Sequence, residues 1–503
     1  MKKTVLFSLA VISAILLLFS CGNNKKGLNI SSKKDIDGKR IAVAIGTVQD
    51  EYATKNCTHS PIMRIDVITD VVTALLTDKA DVAIIDETLA KLMMKQNPEL
   101  GMIDSCMKKT QAGYIFSPSN KALRESFNTF LDKLLADGTF ERIQKKWEYH
   151  ADTATMPPMP TDVSNGSFTF ACSAGGPPYT MMKNGQVCGS DVETAVRFAT
   201  WAKKKIEIKV VNFSGVISGV SIGKFDMSGD EICITEERAK KVDFSSPYHS
   251  GSIAAIALKS NLANNLNNGK ATATVGFWQK LKTSLYRNLI AEKRYEMLLH
   301  GLLYTTIIAL ASAIFGTLFG IILCYCRMRQ NKWASKTTAA VIDFLRGVPQ
   351  VVFLMILFYL VFVSGAVNGV CVSIIAFALI FGAYVSEMFR TTIEGVDKGQ
   401  WEGGLAMGFS TVQTFRYFIL PLVVQRVLPV YKGEFIGLIK STSIVGYIAV
   451  LDLTKAGDVI RSATFDPFFP LILITVIYFI LIWLLTRIIV LIQMQTVPRK
   501  RSL

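Results

Sequence analysis

Few residues in this sequence are spaced to make or break bonds. His59, His150, His249 and His300 lie far apart, in no metal-binding or nucleophile-activating pattern. Gly223-Lys224 is followed by Phe225 and has Ser218 five residues before Gly223, so the phosphate-cradling Walker pattern fails. Any ATP must be hydrolysed by another chain, and neither a metal nor a bound cofactor is expected. Of nine cysteines, Cys57, Cys106, Cys172, Cys188 and Cys233 follow Cys21 before residue 300, and Cys324, Cys326 and Cys371 lie further on. Their spacing imitates no zinc site, and the default reading is small buried hydrophobes. Glu231, beside Asp230, is the one candidate for a catalytic acid. The most specific pattern serves docking instead: Glu402-Gly403-Gly404, three residues, Gly408, nine residues, then Phe418-Ile419-Leu420-Pro421. A stretch opening at Glu402 and closing before Gly408 makes a short helix with a glycine end. Leu420-Pro421 then starts a second segment where no backbone donor is required. Two short helices at a fixed angle make a rigid knob. Gly403 and Gly404 cost it about 1 kcal/mol each in helix propensity.

The elements that must position these residues divide between water and lipid. The chain has 503 residues, 50% of them hydrophobic and 19% charged, with a net charge of +16 and a mean hydropathy of +0.35. A wholly soluble enzyme and a disordered polyelectrolyte are both excluded. Residues 1–21 read as a secretory signal: Lys2 and Lys3, an apolar run from Val5 to Phe19, then Ser20-Cys21. From Cys21 to His300 no apolar run reaches the ~20 residues of a spanning helix. Residues 301–326, two stretches within 347–386, 435–451 and 467–486 then give five spans.

With residue 300 outside, five crossings leave the C-terminus in the cytoplasm, and the loop charges agree. Arg327, Arg329, Lys332, Lys336 and Arg346 follow the first span, and Arg499-Lys500-Arg501 end the chain. The connection between spans four and five holds Asp452, Lys455, Asp458, Arg461 and Asp466, as suits the outer side. Lys280, Lys282, Arg287, Lys293 and Arg294 stand before the first span on the outer side, against the rule, but long domains translocate largely regardless of charge. The positive balance is thus an orientation signal, and no nucleic-acid motif accompanies it. Gly316 and Gly320 have the small-xxx-small spacing of close helix packing. Lys440, before Ser441-Thr442-Ser443, faces either a bundle interior or the cytoplasmic interface. Residues 36–150 and 166–260 alternate strand-like and helical patterns, as at Arg40–Ile45 and Lys205–Val211, and Met156-Pro157-Pro158-Met159-Pro160 separates them.

The Glu402–Pro421 pattern resembles the coupling loop of ABC importer permeases, which docks in a groove of the ATPase. Gly403, Gly404 and Phe418 depart from the family residues. Phe344-Leu345-Arg346-Gly347-Val348-Pro349, Glu387-Met388-Phe389-Arg390 and Gly399-Gln400 are similar to elements of the polar amino-acid (His/Glu/Gln/Arg) branch. Leu18-Phe19-Ser20-Cys21 resembles a bacterial lipobox, which would lipidate Cys21; an ordinary signal or an uncleaved anchor is the alternative.

The outer region resembles type II periplasmic amino-acid binding proteins, in an unexpected order. Pro177-Pro178-Tyr179, Gly189-Ser190-Asp191-Val192-Glu193, Thr235-Glu236-Glu237-Arg238 and Val242-Asp243-Phe244-Ser245-Ser246-Pro247-Tyr248 resemble lobe one. Gly46-Thr47, Asp81-Val82-Ala83-Ile84-Ile85-Asp86, Phe127–Leu135, Asp137-Gly138 and Lys145-Lys146-Trp147 resemble lobe two and the closing helices. Lobe one comes last, so the domain reads as circularly permuted, or as the residue of two tandem copies; termini of such domains are often close together. The resemblance implies that Arg238 grips a ligand carboxylate through its fork. It also implies that Asp86 holds the ammonium and that Thr47, Thr235 and Tyr179 line the cleft. A salt bridge from Arg238 to Glu236 or Asp243 is the plainer alternative. Asp230 and Glu231 stand where the family has small residues; they favour a ligand with an extra positive group or point to solvent.

The expected fold is an α/β bilobal binding-protein domain followed by an all-α permease of five transmembrane helices. Its expected divisions are signal 1–20, tether 21–35, lobe two with closing helices 36–150, linker 151–165, lobe one 166–260, linker 261–295, permease 296–495 and basic tail 496–503. The function implied is ATP-driven import of a polar amino acid across the bacterial inner membrane. Its partners are a cytoplasmic ABC ATPase, the amino-acid ligand, the bilayer and a second permease, with no nucleic acid. An amino-acid-gated channel is the alternative, although such channels lack the Glu402–Pro421 loop. A dehydratase built on the lobes would need Glu231 as its acid.

Overall fold

A computed structural model describes residues 28–65, 67–151, 153–183, 186–263, 277–362, 367–464, 466 and 468–496. The candidate signal, residues 21–27 of the tether including Cys21, and 497–503 of the basic tail lie outside the described residues.

Two five-stranded sheets form the outer region. Along the chain come β1 (Ile41–Ala44), α1 (Val48–Asn56), β2 (Ile62–Ile65), α2 (Ile68–Leu76), β3 (Val82–Asp86), α3 (Glu87–Gln96) and β4 (Leu100–Ala112). Next are β5 (Ile115–Phe116), α4 (Lys121–Ala136) and α5 (Thr139–Tyr149). After the proline-rich linker come β6 (Ser167–Cys172), the hairpin β7 (Met181–Lys183) and β8 (Gln186–Cys188), α6 (Ser190–Ala202) and β9 (Lys205–Val210). The region ends with α7 (Phe213–Ser221), β10 (Met227–Ser228), the short α8 (Glu236–Ala239), β11 (Asp243–Phe244) and β12 (His249–Leu258).

The sheet orders are β2-β1-β3-β12-β4 and β11-β5-β10-β6-β9. In each, three strands run parallel, with Ile41 opposite Ile62 in one and Ser167 opposite Lys205 in the other. In each, too, a strand arriving from the other lobe pairs antiparallel: β12 against β3 and β4, and β5 against β10 and β11. The two lobes are therefore topological copies that exchange strands. The chain crosses between them at Ala112-Gly113 and at Tyr248-His249, and not in the linker at 151–165, which bridges two points of the second lobe. Residues 113–149 accordingly pack with the second sheet: Phe127, Phe130 and Leu131 share a core with Phe168, Phe170 and Phe198. Trp147 at the end of α5 donates to the buried Glu193 of α6 at 2.7 Å.

This arrangement is the permuted order read from the sequence. The ends of the bilobal unit meet: Ile30 forms a parallel bridge to Leu262, Ile30 N donates to Asn261 O at 2.9 Å, and Ala263 N donates to Ile30 O at 3.1 Å. Joining 149 to 167 through a loop while opening the chain at this bridge leaves every strand where it was, so the rearrangement costs little packing.

The remainder is helical: α9 (Arg294–Met328), α10 (Lys332–Gly347), α11 (Gln350–Ile356, extended by a wide turn to Val361), α12 (Gly369–Glu394), α13 (Lys398–Ala406), α14 (Thr411–Thr414), α15 (Leu420–Ser441), α16 (Leu453–Thr464) and α17 (Phe469–Thr496). Three helical stretches, Lys282–Met328, Gly369–Glu394 and Phe469–Leu491, are long and apolar enough to span a membrane by themselves. Two bent pairs raise the number to five: Lys332–Gly347 with Gln350–Val361 at 105°, and Thr411–Ile448 with Leu453–Thr464 at 53°. The basic connection after the first span is thus the helix α10. It turns sharply at Val348-Pro349, where proline removes a donor and disfavours helix in the residue before it. The expected outer connection 452–466 is likewise mostly helix. Residues 261–295 also contain a helix, Phe277–Leu285, and the start of α9. Part of the outer base in this stretch is paired, Arg294 with Glu292 at 2.9 Å and Arg287 with Asp466 at 3.6 Å.

Close packing of α9 on α12 explains the glycine spacing. A Cβ on Gly316 would lie 2.9 Å from Ala378 O, and one on Gly320 would lie 2.7 Å from Gly382 O. Only glycine lets these backbones touch.

Candidate functional site: an interlobe cleft above a permease

The cleft residues come from the ends of strands, where side chains leave the sheet and face the opposite lobe. Asp86 ends β3 and caps α3, accepting from Thr88 N at 2.8 Å and Leu89 N at 3.1 Å. Thr47 caps α1 after the left-handed Gly46. Thr235 caps α8, its hydroxyl accepting from Arg238 N at 3.3 Å, and so fixes the turn that carries Arg238. Tyr179 precedes β7, and Glu231 follows β10.

Polar contacts cross between the lobes. Arg238 donates to Gly46 O at 2.9 Å and, within its own lobe, to Cys233 O at 2.8 Å; its guanidinium carbon lies 5.8 Å from the Phe213 ring centroid. It pairs with neither Glu236 nor Asp243, and Asp243 lies 3.6 Å from Arg124 instead. The Tyr179 hydroxyl is 3.0 Å from His249 Nε2. Glu231 Oε1 also faces the other lobe, 3.9 Å from His249 Nε2. Asp86 is 6% exposed and the Glu231 side chain 13%. Burial raises both pKa values, and the neighbouring Asp86 charge raises that of Glu231 further. Burial also raises the Tyr179 hydroxyl and lowers His249 and Arg238.

Thr47, Thr235 and Arg238 line one cavity of about 390 Å³, together with Lys55, Arg64 and Lys241. A second, of about 760 Å³, opens on the other side of Val48 and Thr235 and is lined by His249, Cys233 and Lys108. Asp86, Glu231 and Tyr179 lie deeper, against His249. Of the six residues singled out in the sequence, Thr47, Thr235 and Arg238 line an interlobe cavity, while Asp86, Glu231 and Tyr179 are buried at the lobe interface near His249. Asp230 lies elsewhere between the lobes: this buried carboxylate holds the Thr180 hydroxyl, accepts from Ser173 N at 2.9 Å and lines the smaller cavity beside Lys455. Among the described residues no group of three His, Cys, Asp or Glu could hold a metal ion.

Below the cleft, α16 touches both lobes. Arg461 donates to Asp70 at the start of α2 at 3.0 Å, and Lys455 donates to Asn212 at the start of α7 at 2.6 Å. A cavity of about 90 Å³ lies between Ile45 and Ile68 of one lobe, Gly176 and Phe213 of the other, and Lys455 and Asp458 of α16. Lys224 of the second lobe reaches Phe362 O, its amine 4.2 Å from the Phe358 ring centroid. Sequence reasoning missed His249, Asp70, Asn212, Lys455 and Arg461 as working residues. The signal available was the i,i+3 pairing of Asp458 with Arg461 in a connection otherwise read as a loop.

At the far end of the helical region, α13 starts at Lys398, four residues before Glu402. Asp397 caps it, accepting from Gly399 N at 2.7 Å. It ends at Ala406, and Gly408 follows with φ +85°. Gln400, Glu402 and Gly403 are exposed. Gly404 is buried, and a Cβ there would collide with Thr414, so its departure from alanine is a packing requirement; nothing lies within 4 Å of a Cβ at Gly403. Leu420-Pro421 does not begin a separate segment, since the helix runs on from Thr411 through a wide turn at Phe415–Ile419. The outward face carries Met407 and Val412, 68% and 75% exposed.

The Bacillus subtilis (strain 168) protein named "Probable amino-acid ABC transporter permease protein YckA" is 31% identical over 198 residues, which cover 39% of this chain and 86% of that protein. The chain belongs to the amino-acid ABC transporter permeases. The L-cystine transport system permease protein TcyB of the same organism is 31% identical over 208 residues, 41% of this permease and 89% of TcyB. Residues 168–402 match the family "Bacterial extracellular solute-binding proteins, family 3". That match begins in β6, where the second segment begins. A solved structure, "Crystal structure of an amino acid ABC transporter with histidines", is 27% identical with a TM-score of 0.38, over 44% of this permease and 99% of that chain. The permease therefore joins amino-acid ABC transport to a substrate-binding domain in one membrane protein.

Proposed function

We propose that this permease imports a polar amino acid across the bacterial inner membrane, driven by ATP hydrolysed on a partner subunit, and carries its own receptor on the periplasmic side. The observation that carries this reading is α16, which is bonded to each lobe through Lys455 and Arg461. A ligand that changes how the lobes meet must then change the pull on a helix joined at 53° to the fourth span. In the cleft, Arg238 and Thr47 take the ligand's carboxylate, Asp86 its ammonium, and Tyr179 and Thr235 line the walls. In the cytoplasm the ATPase grips the knob formed by 399–421, two permeases pair around the path, and Cys21 is the lipid attachment point.

The test is binding to the full chain in detergent, measured by calorimetry against a panel of amino acids. One or a few amino acids are expected to bind, and Arg238→Ala to weaken that binding roughly 10- to 100-fold. A folded chain that binds none would refute the tethered receptor.

A further inference from the structure

Asp230 and Glu231 are adjacent in sequence, yet the fold gives them opposite roles. Asp230 holds Thr180 and Ser173 beside the small cavity at α16, whereas Glu231 turns to the other lobe, 3.9 Å from His249 Nε2 and close enough to Asp86 that the Asp86 charge raises its pKa. Its backbone sits at φ +50°, a region that disfavours any residue with a Cβ. A side chain held in such a conformation points to a use for it. Glu231 N donates to Asp191 at 3.0 Å, which fixes where the side chain emerges. Gly251 makes room opposite: a Cβ there would stand 3.5 Å from Glu231 Oε1 and 3.2 Å from His249 Nε2. Among the described residues no lysine or arginine ion pair is formed by Glu231 or Asp86; His249 Nε2, 3.9 Å from Glu231 Oε1, is the one basic group beside them.

The acids at this interface are unevenly matched. Around the Arg238 cavity Lys55 pairs with Glu51 and Arg64 with Asp50, whereas Asp86 and Glu231 have no lysine or arginine partner among the described residues. Resting on the receptor reading above, we infer that Glu231 selects amino acids bearing a second positive charge, of the arginine or lysine type. The charge count decides it. A zwitterion places its carboxylate on Arg238 and its ammonium on Asp86, which leaves Glu231 either a buried unpaired charge or a proton-bound neutral acid. A ligand with a distal ammonium or guanidinium neutralises both acids, and a buried charge is tolerated only when so paired.

The experiment compares arginine with citrulline, its uncharged near-isostere, together with lysine and glutamine, on the full chain by calorimetry. Arginine is expected to bind at least tenfold more tightly than citrulline. Glu231→Gln should bring the two within about threefold, mainly by weakening arginine. Glu231→Gly, which suits the positive φ, should do the same and guards against a misfolded glutamine variant. Equal affinity for arginine and citrulline in the native chain, or discrimination that survives both substitutions, overturns the role of Glu231 while leaving the receptor standing. A chain that binds none of the four, but binds another amino acid, has the same meaning. One that binds no amino acid at all overturns both.

Discussion

The interlobe cleft and the knob at 399–421 are both built from short turns at helix starts, yet they are held together in opposite ways. In the cleft, the contacts that cross between lobes are polar, as between Arg238 and Gly46 and between Tyr179 and His249. Each is a hydrogen bond that a ligand or water can replace, so the lobes can part without losing a core. In the knob, Trp401, Phe415 and Ile419 pack with Val396, Val423 and Val427, and Gly404 is wedged on Thr414. Opening it would expose apolar surface with nothing to replace the contacts. One region is made to exchange partners, and the other is made to move as a block.

The largest effect that sharpens this contrast is at the knob. Gly404→Leu forces a side chain where even a Cβ collides with Thr414, so overpacking should separate α13 from α14. Transport should fall more than tenfold, while calorimetric amino-acid binding by the same chain stays within twofold. A parallel loss of binding would show that the two regions are not independent blocks. Next is Arg238→Ala. A charged hydrogen-bond donor is worth about 1.5–3 kcal/mol, so ligand affinity should fall roughly 10- to 100-fold, with no change in co-purification of the ATPase subunit.

The lobe that carries Glu231 should also be pH-sensitive. Buried Asp191 accepts from the Tyr248 hydroxyl at 2.6 Å, the Tyr114 hydroxyl at 3.2 Å and Glu231 N. Burial nonetheless pushes its pKa up to about 7. The folded state therefore keeps a proton that the unfolded chain releases near pH 4. Its contribution to stability is greatest below that pH and is lost as pH rises through about 7. Thermal unfolding of the outer region should occur at progressively lower temperature from pH 4 to 7, and Asp191→Asn, less stable at every pH, should flatten that slope. The smallest effect is at Gly403, where a Cβ meets nothing. Gly403→Ala should stabilise α13 by up to about 1 kcal/mol and leave transport unchanged, as an activity assay on the alanine variant would show.

Much of this was legible because periodicity and motif act locally. Alternating apolar runs marked β1, β3, β6 and β9, charge-free runs marked α9, α12 and α17, and the Glu402–Pro421 spacing marked the knob. What escaped depends on distant residues meeting. Nothing local says that Glu231 faces Asp86 while Asp230 turns away, because a left-handed residue at 231 reverses the direction of the chain there. The bend at Val348-Pro349 turned an expected loop into α10. The helix α16 was hidden because its charges suit both a solvated outer loop and a docking surface, and only the lobes above it decide between them. Gly404 read as a loss of helix propensity, whereas its neighbour Thr414 makes glycine necessary.

The most direct test of the central claim, a receptor working from within the permease, is ATP hydrolysis by the full chain assembled with its co-purified ATPase subunit in liposomes, without any free binding protein. The account expects the amino acid bound in calorimetry to stimulate hydrolysis severalfold, and Arg461→Ala to weaken that stimulation while binding persists. Hydrolysis that ignores the amino acid until a separate binding protein is added would contradict it.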